Sequence, residues 1–157
     1  MFAGFSNKLT IMQLGCIQAI GMFVIDKDPT GCVNQKINFF SDYTTTLFFT
    51  GDLQTDEQIQ NRFLDVSRQM SYEQVIRTIR DFDFSLKWDL TAFLMVLIHY
   101  DRAPKKQEWQ FLKKVIMEAD LPKMPLGVAA DAMVVHMGIP DLKNVIYNQG
   151  FFESFLF

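Results

Sequence analysis

Between Trp88 and Tyr100 the chain carries Leu90, Phe93, Leu94, Leu97 and Ile98 at the i, i+3, i+4, i+7, i+8 spacing of one helical face, and Met95 and Val96 fill the other side. A helix apolar nearly all round is stable only when neighbours cover it on every side, so this stretch predicts the middle of a core. A second helix follows, with Trp109, Leu112, Ile116 and Ala119 on one stripe and Phe111 and Val115 widening it. Asp101-Arg102-Ala103-Pro104 forms the elbow between them. Pro104 has no backbone N–H to donate and belongs in the first turn of the second helix.

The rest of the chain supplies the covering helices. Leu9 to Ile25 is 17 residues without a charge, preceded by Lys8. Gln13 and Gln18 interrupt it, and it is at the short end for a bilayer span or a signal core. Gln13 also stands where a lipoprotein box ending Leu14-Gly15-Cys16 needs an aliphatic residue. Leu14, Ile17, Ile20 and Val24 instead make the stripe of a buried helix, capped by Asn7, with Gly15, Ala19 and Gly21 allowing a close neighbour. Val33, Ile37, Phe40 and Tyr43 predict a helix to about Tyr43, and Thr44-Thr45-Thr46 leaves its end open between helix and strand. Thr55-Asp56-Glu57-Gln58 and Ser71-Tyr72-Glu73-Gln74 read as capping boxes for two further helices. Ser85 or Asp83 caps the central one, and Leu126, Ala130, Met133, Val134 and Met137 mark another, ended by Gly138. Without a strand ladder, the expected class is all-α: a compact bundle of about six to eight helices, divided as residues 1–121 and a helical extension, residues 122–157, packed on the same domain.

At 157 residues, with 49% hydrophobic and 21% charged, the chain fits one globular domain. A net charge of −3 gives no general attraction to nucleic acid or to an anionic membrane, and neither is expected as a partner. Two cysteines, Cys16 and Cys32, are too few for a disulfide framework. They read as reduced, buried thiols in a cytoplasmic protein, with a single bridge left open.

The elbow has an earlier counterpart. Gly21 to Pro29 aligns with Val96 to Pro104: an apolar helix end, an Asp, a base, a small or polar residue and a Pro. Each copy leads into a helix with a paired apolar core, Phe39-Phe40 in one and Phe111-Leu112 in the other. A buried helix ending in Asp101, a polar elbow, and a helix with Glu108 near its start, then Phe111-Leu112 and Ala119-Asp120-Leu121, resembles the TerB-like (tellurite-resistance) all-helical family over roughly residues 9–121. The resemblance implies a helical bundle in a stress-related setting, with acids in both elbows that have been suggested to bind metal. This chain departs from that pattern: Arg102 stands at the usual Gly, and Lys105 and Lys106 stand where acids are common.

Candidate sites follow from these segments. Asp26 to Ile37 imitates a calcium loop, with oxygen donors at positions 1, 3, 5 and 9 and Gly at 6, but Ile37 occupies the place of the bidentate Glu. Asp26, Asp28 and Asp101 are the ligands such a divalent-metal reading would use; otherwise no cofactor is expected. Lys105, Lys106 and Lys113 sit on the helix whose Lys pair is at its start and whose Glu118 and Asp120 are at its end, against the helix dipole. That reversal and the Phe-rich tail, Phe151, Phe152 and Phe155, mark surfaces for a protein partner or self-association. His99 and His136 are isolated in sequence, and Asp131 lies five residues before His136. With no nucleophile–base pairing and no phosphate-binding Gly loop, the expectation is a non-enzymatic binding or scaffold protein, with a metal-binding protein as the alternative.

Overall fold

The structure, a computed structural model, describes residues 9–28, 33–100 and 105–139. Among these residues every regular element is an α-helix: α1 (Ile11–Ile25), α2 (Val33–Phe48), α3 (Leu53–Gln69), α4 (Tyr72–Arg80), α5 (Phe84–His99), α6 (Lys106–Glu118) and α7 (Leu126–Met137). The all-α expectation holds. None of these helices is long and apolar enough to cross a membrane.

α5 is the axis of the core. From Leu90 to His99 every residue is buried, because α1, α2, α6 and α7 all pack on it, α7 most extensively. α7 contributes Leu126, Ala129, Ala130 and Met133 to the same core. α1 packs most closely on α3, where a Cβ on Gly15 would lie 2.6 Å from Val66 Cγ1, and Gly21 gives α2 the same close approach, since a Cβ there would lie 2.5 Å from the Phe40 ring.

Several helix starts differ from the sequence expectation. Thr10 caps α1 in a reciprocal box: its hydroxyl accepts the Gln13 N–H at 3.0 Å and Gln13 Oε1 accepts the Thr10 N–H at 2.9 Å. The Gln that interrupts the apolar run is therefore a cap residue; Asn7 lies outside the described residues. α3 is capped by Asp52, which accepts the Thr55 N–H at 3.2 Å, so Thr55 is inside the first turn and Asp56 reaches back to the Thr50 and Gly51 amides. The Ser71 box and the Asp83 cap are present as expected. α2 runs through the threonines to Phe48, because Thr44, Thr45 and Thr46 turn their hydroxyls back onto the carbonyls of Ser41 and Tyr43.

The end of α6 is a Schellman closure. Asp120 takes the left-handed conformation at φ 55° and the Leu121 N–H donates to Ile116 O at 3.0 Å. The charge reversal on α6 is answered from inside the fold. Glu108, in the first turn, accepts the Lys105 N–H at 3.1 Å, and Arg80 of α4 donates Nε–H to Glu118 O at 2.6 Å. An acid sits at the positive end of the helix and a borrowed guanidinium at the negative end, the favourable sense at both.

Candidate functional site

The first feature is the junction where the end of α1, the start of α2 and the start of α6 meet. Lys36 lies on the buried face of α2 with Phe39, Phe40, Tyr43 and Leu47, and only 1% of it is exposed. Its ammonium is 3.0 Å from Asp28 Oδ2 and also donates to Glu108 Oε2. The Asp28 side chain is 1% exposed and that of Glu108 3%. Burial holds the Glu108 carboxyl above its ordinary range, although Lys36 and the Lys105 N–H pull it the other way. Asp28, an expected metal ligand, is thus engaged with an internal cation. Asp26 is exposed beside it, and Asp101 lies outside the described residues.

Of the stripe expected on α2, Phe40 and Tyr43 are buried, whereas Ile37 is 37% exposed and the buried face continues through Lys36, Phe39 and Leu47 instead. The available signal was the i, i+3, i+4, i+7, i+11 series from Lys36 through Leu47, all of it apolar after the first member.

The second feature is a strip of half-buried rings across three helices. Phe23 of α1 lies 6.2 Å from Tyr72 of α4, and Tyr72 lies 5.9 Å from Phe111 of α6. Lys27 stands 5.1 Å over Phe111 and Lys114 stands 4.8 Å over Tyr72. Beside them Lys113 covers Trp109 at 5.3 Å. Tyr72 donates to Glu118 Oε1 at 2.8 Å; burial first, then Glu118, pushes its hydroxyl well above the ordinary tyrosine range. Arg77 and Arg80 line the hollow at the α4 end of this strip. Lys105, Lys106 and Lys113 are exposed, Lys105 as the N-cap residue of α6. Phe151, Phe152 and Phe155 lie outside the described residues.

Burial shifts several internal titratable groups. The Cys16 thiol is buried, donates to Val75 O at 3.3 Å, and is pushed up to about 12 by burial. His99, with Nδ1 2.7 Å from Met95 O, is brought down to about 4 by burial, and His136 likewise to about 4. The neighbour of His136 is Asp89 of α5, 3.8 Å from its Nδ1, and Asp131 is an exposed residue of α7. Burial, with help from the Asp83 charge, lifts the Asp89 carboxyl to about 6. Burial thus works against the charged form on both sides of this 3.8 Å contact.

Among the described residues no three His, Cys, Asp or Glu side chains are gathered at a possible metal position. No protein-family model, no curated protein and no solved structure matches this chain, so its description rests on its own geometry.

Proposed function

We propose that this chain is a non-enzymatic binding protein that works through an acidic segment of a protein partner, held on the ring-and-lysine strip of α1, α4 and α6. The strip is the observation that carries this reading. Phe23, Tyr72 and Phe111 offer a continuous half-exposed apolar track, and Lys27 and Lys114 are already parked over it. A lysine resting on a ring loses less freedom when it takes up a carboxylate, and the ring below offers area to the aliphatic neighbours of that carboxylate. Arg77 and Arg80 extend the positive field along α4. Burial moves both histidines and the Cys16 thiol away from neutral pH, which leaves none of the three as a ready acid–base or nucleophilic group. The tail, residues 151–157, supplies a second apolar contact, directed at a second copy of the chain or back onto the bundle.

Calorimetry with a peptide of alternating Glu and Leu tests the strip. Binding is expected to weaken with salt and to fall by about tenfold or more in Lys27→Glu/Lys114→Glu, with circular dichroism unchanged. Equal affinity for variant and wild type refutes the assignment. Parallel titration with calcium, zinc and manganese addresses the metal alternative: tight binding that disappears in Asp26→Asn/Asp28→Asn would replace the present reading. Removing residues 151–157 is expected to convert a dimer to a monomer in light scattering or to lower the melting temperature at unchanged mass; a truncation that alters neither removes the tail from the proposal.

A further inference from the structure

A different surface carries an inference that does not depend on the strip. At the start of α5, Phe84, Ser85, Trp88 and Asp89 line an open depression of about 460 Å³. Phe84 is 68% exposed, an unusual position for a large ring beside so complete a core. Its ring centre lies 6.1 Å from that of Trp88, tilted by 35°, so the two rings form adjoining walls. Asp89 closes the depression and its side chain is 15% exposed. We propose that this depression seats an organic ammonium, with Trp88 and Phe84 facing the alkylated nitrogen and Asp89 as its counter-charge.

The surroundings select this ligand chemistry over others. The groups facing Asp89 are Asp83 at the α5 cap, His136 on α7 and Tyr43 on α2, and the nearest cation in sequence is Lys87, two residues earlier on the same helix. Lys87 is turned to Asp120 at 3.6 Å, and His136 is neutral above about 4. Tyr43 is wholly buried and its hydroxyl has no hydrogen-bond partner among the described residues. The local field is therefore negative, and it repels an anion. A hard metal ion needs six or more oxygens, and one carboxylate lines the site. An alkylated ammonium asks for the combination present: it is weakly hydrated, its charge is attracted by ring faces, tryptophan best, and one carboxylate balances it.

The shared chemistry has two sources, a free quaternary amine or a methylated lysine on a protein, and the probes separate them. The intact chain is titrated by calorimetry with choline, with its neutral isostere 3,3-dimethylbutan-1-ol, and with a short peptide carrying trimethyllysine beside its unmodified form. Choline is expected to bind at least about tenfold more tightly than the isostere, and Asp89→Asn and Phe84→Ala are each expected to weaken it by about tenfold. Phe84 is exposed, so that variant keeps the fold even if Asp89→Asn disturbs it. Affinity should rise as pH climbs through about 6, where Asp89 loses its proton. Tighter binding of the methylated peptide than of choline identifies a protein tail as the source; equal or weaker binding identifies a free amine. The proposal is overturned if the isostere binds as well as choline, or if neither choline nor the methylated peptide saturates below about 10 mM.

Discussion

Replacing Lys36 by Met removes the charge from the junction of α1, α2 and α6 and keeps most of the side-chain length. In the wild type one ammonium serves two carboxylates, Asp28 at 3.0 Å and Glu108, with all three side chains 1–3% exposed. Without it, two buried carboxylates face each other with the ammonium contact gone. At an effective dielectric of 20 a single contact at this range is worth about 5 kcal/mol before desolvation is counted, and breaking a buried pair from one side costs about 3–5 kcal/mol. For a chain of this size each kcal/mol moves the melting temperature by about 2–4 °C, so Lys36→Met should melt about 10 °C below the wild type at neutral pH. The deficit should have a pH signature. Losing Lys36 drives the already raised Glu108 carboxyl higher still, and a group whose folded value exceeds its unfolded value contributes stability that is present below the unfolded value and lost as pH rises through the folded one. The variant should therefore recover toward the wild type as pH falls to about 5, near the unfolded carboxyl range. Lys36→Met/Glu108→Gln should be less unstable than Lys36→Met alone, since one of the stranded charges is gone. Urea unfolding of the four members of this cycle at two pH values measures all of this. A Lys36→Met protein as stable as the wild type at neutral pH would refute the electrostatic pin, as would a deficit that does not change with pH.

Three further outcomes are expected. Gly21→Ala should destabilise by about 1–3 kcal/mol in thermal melts, because its new Cβ would stand 2.5 Å from the ring of Phe40, itself held in the core; a neutral result would mean that α1 and α2 separate freely. Asp120→Gly should stabilise by about 1 kcal/mol, since it relieves a side chain at φ 55° and gives up a contact to the largely buried Lys87 made by a carboxylate that is itself 89% exposed; a lower melting temperature would show that this pair matters more than the backbone. His99 is held neutral with a folded value near 4, so its contribution is present above the unfolded value near 6.5 and is lost as pH falls through about 4. The stability of His99→Gln should fall less steeply over that interval than that of the wild type, and parallel slopes would contradict the assignment.

The parts of this fold that were legible in sequence are those where a side chain's class and its place agree. α5 is apolar all round and is buried all round. Ser71 with Gln74, Asp83 and Gly138 are polar or flexible residues at the helix ends where such residues belong. The misreadings share one cause: residue class was taken as position. Lys36 is a cation inside, Gln13 is a cap rather than an interruption, and the threonines of α2 satisfy their hydroxyls on their own helix and so do not break it. The candidate sites suffered most, because they are where distant segments meet. Nothing in the spacing of Lys36 and Glu108, or of Phe23, Tyr72 and Phe111, announces that they touch. The depression at the start of α5 was missed because nothing in the sequence singles out Phe84 beside Trp88, and exposure is visible only after folding.

The burial of α5 also bears on how the chain is made. Its largest partner, α7, is the last of the described helices to be synthesised, while α1, α2, α3 and α4 precede it. A nascent chain that has emerged to Leu121 therefore holds the central helix with one flank bare, an apolar surface waiting for α7, which ends at Met137, to follow. At about 5–20 residues per second that interval lasts seconds, long compared with the microseconds in which helices form and collapse. The order of the helices thus leaves any chain cut before α7 with an uncovered apolar flank on α5.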